Sequence, residues 1–199
     1  MVVTISKQNL TITDFGIEDK SSSPLTSFWR DYVSEYDSGK LEPKLVDPKK
    51  ISFFLRHMND VERISFLKNG HGDFLGVMEY SCCNAKDFSQ FESYLESHFP
   101  RSDEFGCFDS VLLESGLVDD VFPKKVGHIQ MFETYEKRKG YGSFMHNAVC
   151  KHNDFDTIFL EAWNEISRRF YQNKGFREAD NSGKDCMYSM IWNRHDRSR

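Results

Sequence analysis

The stretch from Val126 to Phe176 constrains this chain more than any other. It reads as strand, basic glycine loop, helix, strand, helix. Val126 to Phe132 is an apolar run with strand character. Tyr141, Phe144, Met145, Ala148 and Val149 then fall at i, i+3, i+4, i+7 and i+8, a helical stripe. Between the two lies Lys137, Arg138, Lys139, Gly140, Tyr141, Gly142, Ser143. The first N–H groups of a helix have no partner inside it, and its dipole is positive at that end. Glycines let such a backbone approach a ligand closely, and three cations stand beside this one. The pattern predicts a cradle for phosphate or pyrophosphate.

Three kinds of phosphate loop compete for these residues. A Walker A loop ends in Gly-Lys-Ser/Thr, whereas here Gly142 is followed directly by Ser143. A dinucleotide fingerprint needs Gly-x-Gly-x-x-Gly, and Met145 stands where its third glycine belongs. The loop closely resembles the acetyl-CoA loop of the GNAT acetyltransferase superfamily, Gln/Arg-x-x-Gly-x-Gly/Ala. Lys137 occupies the Gln or Arg position, a departure that keeps the charge of the arginine. A second segment resembles the same family. Asn164, Ser167, Tyr171, Gly175 and Phe176 match its Asn-x-x-Ala-x-x-x-Tyr-x-x-x-Gly-Phe, with Ser167 at the small-residue position. It follows an apolar strand, Thr157 to Ala162, as the family order requires. The resemblance is specific over Val126 to Phe176 and extends to Trp192; upstream it rests on element order. It implies an α+β fold with a mixed, mostly antiparallel, splayed sheet flanked by helices, and a segment inserted between the third and fourth core strands, at about 84–125.

Composition is compatible with one such domain over residues 1–199. Hydrophobic residues make up 39% and aromatics 15%, with 18 Phe, enough for a sizeable core without metal or disulfides. The net charge of -5 argues against broad nucleic-acid binding and leaves the basic loop conspicuous, as a single anionic ligand would require. The five cysteines, Cys82, Cys83, Cys107, Cys150 and Cys186, include no Cys-x-x-Cys pair and read as reduced thiols. No run reaches the ~18 apolar residues of a membrane helix, and Met1 to Gln8 lacks a signal-peptide pattern. The expected location is the cytoplasm, with no membrane partner.

In chain order, Val2 to Ile5 and Leu10 to Ile12 alternate as two short strands or one bent strand. Ser23 before Pro24 predicts a helix start, with Leu25, Phe28, Trp29, Tyr32, Val33 and Tyr36 on its apolar face. Asp47 before Pro48 repeats the signal for a second helix with Ile51, Phe54, Leu55 and Met58. By the resemblance, Ser38 to Asp47 is a candidate wall for the acceptor. Arg63 to Lys68 and Phe74 to Tyr80 read as a hairpin around Asn69-Gly70-His71-Gly72. Within the insertion, Phe88, Phe91, Leu95 and Phe99 form a helical stripe and Val111 to Val118 a short apolar run. A lid, an oligomer surface such as a homodimer contact, and simple packing over a sheet edge are the readings open to it. Arg177 to Ala179 and Cys186 to Trp192 predict a terminal hairpin.

The resemblance also implies chemistry: transfer of an acetyl group from acetyl-CoA to a primary amine of a small molecule or peptide. Pyrophosphate would sit on Lys137, Arg138, Lys139, Gly140, Tyr141, Gly142 and Ser143. The backbone of Met131, Phe132 and Glu133 would pair with the pantetheine arm, and an N–H there would polarise the thioester carbonyl. Asn164 caps a helix and would touch the same arm. Tyr171 holds the family's acid position, protonating the departing thiolate. For the base, Glu133 ends the strand before the loop, His128 lies on that strand's other face and Glu161 on the neighbouring strand; a water chain suffices in some family members. Two other readings remain: a CoA-binding regulatory module without catalysis, and a toxin-like acetyltransferase acting on charged tRNA. The acidic net charge counts against the latter. Cys150 and His152 lack an orienting partner for nucleophilic catalysis, and the seven His show no metal-ligand spacing.

Overall fold

In the computed structural model of the chain, residues 3–7, 9–40, 47–58, 60–86, 88–98, 125–135, 139–178 and 188–194 are described. Period-2 alternation builds strands β1 (Val3–Lys7) and β2 (Leu10–Gly16), paired antiparallel from Val3 opposite Asp14 to Lys7 opposite Leu10. Asn9 takes the left-handed conformation at their junction, which asparagine tolerates better than most residues. Helix α1 (Ser23–Asp37) is capped by Ser22, whose Oγ accepts from the Leu25 N–H at 3.3 Å, one residue earlier than the expected Ser23. Helix α2 (Pro48–His57) is capped by Asp47, accepting from the Lys49 N–H at 2.8 Å. Then come β3 (Glu62–Asn69) and β4 (Phe74–Asn84), an antiparallel hairpin. Its turn is held by Asn69 Oδ1, which accepts from the N–H groups of His71 and Asp73 at 2.9 and 3.0 Å.

Helix α3 (Phe88–His98) is the described part of the expected insertion. Its stripe of Phe88, Phe91, Leu95 and Phe99, and the apolar run Val111 to Val118, lie outside the described side chains. β5 (Lys125–Thr134), α4 (Tyr141–Asn153), β6 (Thr157–Ala162) and α5 (Glu165–Gln172) follow, as the pattern from Val126 to Phe176 predicted. β7 (Arg177–Glu178) and β8 (Tyr188–Asn193) close the chain as an antiparallel pair. Among the described residues the strands form one eight-stranded sheet in the order β1-β2-β3-β4-β5-β6-β8-β7. It is antiparallel in its recorded ladders except for β5 with β6, where Val126–Ile129 runs parallel to Thr157–Leu160. No described helix is long and apolar enough to cross a membrane.

The chain divides into two compact units, Met1–Ser81 with Gln130–Asn153, and Cys82–Ile129 with Asp154–Arg199. The division falls inside β5, just where its recorded parallel ladder with β6 ends at Ile129. The first unit packs Leu25 and Tyr32 of α1, and Ile51, Phe54 and Met58 of α2, on Phe15, Ile64, Phe66, Phe74 and Val77 of the strands. These are the stripes read from helical spacing, and Tyr32 meets Phe74 edge-on at 5.1 Å. Asp14, Arg63, Ser65 and Tyr80 form a buried polar network in this unit, joined to α4 by Asn153. In the second unit Val126, Phe155, Phe159, Leu160, Met190 and Ile191 are buried. The Phe155 ring lies over Gly127, where a Cβ would come within 2.8 Å of it.

Candidate active site

The basic loop meets α4 at Gly140, whose φ of +82° is in the left-handed region that favours glycine. Among the described residues a Cβ there would meet nothing within 4 Å, so the backbone conformation is what demands the glycine. Phe144 N–H donates to the Gly140 carbonyl at 3.0 Å and begins the helical ladder. The N–H groups of Tyr141, Gly142 and Ser143 therefore precede that ladder, at the positive end of the helix dipole. Lys139 and Gly140 are exposed; Tyr141, Gly142 and Ser143 are half-buried. Lys137 and Arg138 lie outside the described residues. These groups fit an anion of pyrophosphate type: unladdered donors and a neighbouring ammonium.

Behind this turn, Gly76 of β4 lets the end of β5 come close. A Cβ on Gly76 would stand 3.2 Å from the Glu133 carbonyl and 3.2 Å from Met145 Sδ. Tyr135 N–H donates to the Leu75 carbonyl at 2.7 Å. Met131 and Phe132 are half-buried and Glu133 is exposed. Met131 and Tyr135 pack against the core cluster beneath α1 and α2.

The second unit carries the remaining expected residues. Asn164 caps α5: its Oδ1 accepts from the Ser167 N–H at 2.9 Å, and its own N–H donates to Ser167 Oγ at 3.2 Å. This reciprocal capping box explains Ser167 at the small-residue position. Tyr171 is 6% exposed and lies edge-on to Phe176 at 5.3 Å. Gly175, at φ +86°, turns the chain so that Phe176 N–H reaches the Tyr171 carbonyl at 3.1 Å. His128 stacks on Phe159 at 4.8 Å. Glu161 is half-buried, opposite Ser189 of β8.

The first unit thus holds Met131, Phe132, Glu133 and the head of α4, and the second holds His128, Glu161, Asn164 and Tyr171. Two features were not anticipated. Cys150 Sγ lies 3.6 Å from His146 Nε2, one helical turn away, rather than beside His152. Glu79, the one charged residue in the apolar run Phe74 to Tyr80, is buried at 6% exposure. Its Oε1 has no hydrogen-bond partner among the described residues. Burial, reinforced by the nearby Glu62 carboxylate and opposed by Lys50, pushes its carboxyl up to about 8. A charge inside an apolar strand run was the available signal.

No protein-family model matches the sequence, and no curated protein matches it. Solved structures do. An acetyltransferase from Thermus thermophilus superposes with a TM-score of 0.51 at 11% identity, covering 95% of this chain and 99% of its own. FeeM, an N-acyl amino acid synthase from uncultured soil microbes, superposes with a TM-score of 0.50 at 10% identity, covering 97% and 92%. The fold is that of the GNAT acetyltransferases.

Proposed function

We propose that the protein is an N-acetyltransferase that moves the acetyl group of acetyl-CoA directly to a primary amine, with residues 1–199 acting as one catalytic domain. The observation that carries this reading is the left-handed turn at Gly140, which sets the N–H groups of Tyr141 to Ser143 ahead of the α4 ladder. In this reading those donors and Lys139, together with Lys137 and Arg138, bind the pyrophosphate. Acetyl-CoA supplies an acyl carbon activated as a thioester. The backbone of Met131, Phe132 and Glu133 orients the amide-rich arm by strand-like pairing, and an N–H of that segment donates to the carbonyl oxygen. Asn164 also contacts that arm.

Tyr171 donates its phenolic proton to the departing sulfur. The phenol ring is buried and packs edge-on against Phe176, which restrains its orientation as a positioned acid requires. The test is transfer to a panel of primary amines by wild type and Tyr171→Phe. Turnover is expected to fall ~10- to 100-fold in the variant with acetyl-CoA affinity unchanged. Equal turnover would remove Tyr171 from the chemistry. Binding of acetyl-CoA with no transfer to any amine would favour a regulatory module.

A further inference from the structure

The register of the β3–β4 hairpin pairs Glu62 with Ser81, Ile64 with Glu79 and Phe66 with Val77. Directly opposed residues share a face, and alternate residues along a strand do too. Ile64, Phe66 and Val77 belong to the core packed under α1 and α2. Glu79 therefore stands on that same face, with Glu62 diagonal to it across the ladder. No cation is drawn into an ion pair with Glu79 among the described residues, although Lys50 of α2 is near enough to be felt. Tyr32 of α1 feels Glu79 and, more strongly, Glu133. A buried carboxyl oxygen with no donor is costly unless something else supplies one.

Gln130 Nε2 donates to Glu62 Oε1 at 3.3 Å. Gln130 immediately precedes Met131, Phe132 and Glu133 of β5, to which the acetyltransferase reading assigns the pantetheine arm. The acidic pair is thus tied to the segment that would carry the acyl group. An ammonium group offers three N–H donors and one positive charge. It would satisfy Glu79 Oε1 and offset the repulsion between the two glutamates.

We propose that Glu79 and Glu62 form the acceptor's ammonium site and that Glu79 takes the proton that frees the amine for attack. This rests on the acetyltransferase reading above. Over the reaction the R–NH3+ nitrogen loses two protons and forms one bond to the acyl carbon, whose bond to sulfur breaks. One proton goes to the Glu79 carboxylate and then to water; the other balances the proton that Tyr171 gives the sulfur. The acceptor is accordingly a cationic primary amine. The charged groups that act on Glu79 are Glu62 on β3 and Lys50 on α2, while burial holds the Tyr32 phenol of α1 in its neutral form.

The test combines titration calorimetry with 1,5-diaminopentane and carboxyl NMR of protein carrying 13C-labelled glutamate. Wild type is expected to bind the diamine. Glu79→Gln and Glu62→Gln are each expected to weaken that binding at least about tenfold, with acetyl-CoA affinity retained and a melting temperature no lower than that of wild type. One glutamate carboxyl should titrate near pH 8, move to lower pH on adding diamine, and vanish from the spectrum of Glu79→Gln. No diamine binding by wild type, equal binding by both variants, or a Glu79 signal unmoved by diamine would overturn the inference. Failure of wild type to bind acetyl-CoA would instead overturn the reading beneath it.

Discussion

Asp14 and Glu79 are both buried carboxylates of the first unit, at 3% and 6% exposure, and their surroundings are opposite in kind. Asp14 accepts from Arg63 Nε at 2.5 Å, Ser65 Oγ at 2.6 Å and Tyr80 Oη at 3.1 Å. Tyr80 Oη in turn accepts from Asn153 Nδ2 at 3.0 Å, so the network ties β2, β3, β4 and α4 together. Glu79 faces a second glutamate and keeps an oxygen without a donor among the described residues. One carboxyl is met by three donors; the other keeps an oxygen that no described residue satisfies. A polar group that the fold satisfies reads as structural, and one that the fold strands reads as functional.

The largest effect that would sharpen this contrast comes from Arg63→Met. It leaves Asp14 buried without its countercharge and should cost ~3–5 kcal/mol, measured by urea denaturation. A loss below about 1 kcal/mol would mean that the network is not holding the strands together.

Glu79→Gln should do the reverse and stabilise the protein. The folded carboxyl is raised to about 8 from its ordinary 4.5, so folding takes up a proton between those values. Stability then falls as pH rises through that window and stays low above it. The variant should melt roughly 2–6 °C higher than wild type at pH 8.5, with the gap closing by pH 4, by differential scanning calorimetry. A lower melting temperature at pH 8.5 would make Glu79 structural, like Asp14. Glu62→Gln is the smallest test. It removes the second contributor to the rise and should move the Glu79 titration to lower pH in the NMR experiment.

Most of the architecture was legible because its causes are local. Helical spacing named Leu25, Tyr32, Ile51 and Phe54 as core, and all are buried. Asp47 and Asn164 were readable caps because a cap bonds only two or three residues ahead. The start of α1 was off by one, since Ser22 and Ser23 are chemically equal candidates and only backbone conformation separates them. What escaped notice depends on register. Glu62 and Glu79 are brought together by the pairing of two strands, and nothing in either segment alone records the other. Cys150 was weighed against His152, two residues on and so on another side of the helix; His146, four residues back, is the neighbour in contact. The turn ahead of α4 was legible from the glycines of the loop motif, and it is seen in the φ of Gly140.

The central claim is that the head of α4 holds the pyrophosphate, and Gly142→Asp tests it most directly. An aspartate in the first turn suits the helix dipole, so the fold should survive, while its charge and bulk oppose an anion at those N–H groups. Calorimetric titration with acetyl-CoA should show binding by wild type and at least about a hundredfold loss in the variant at an unchanged melting temperature. Equal affinity in the two proteins would contradict the account.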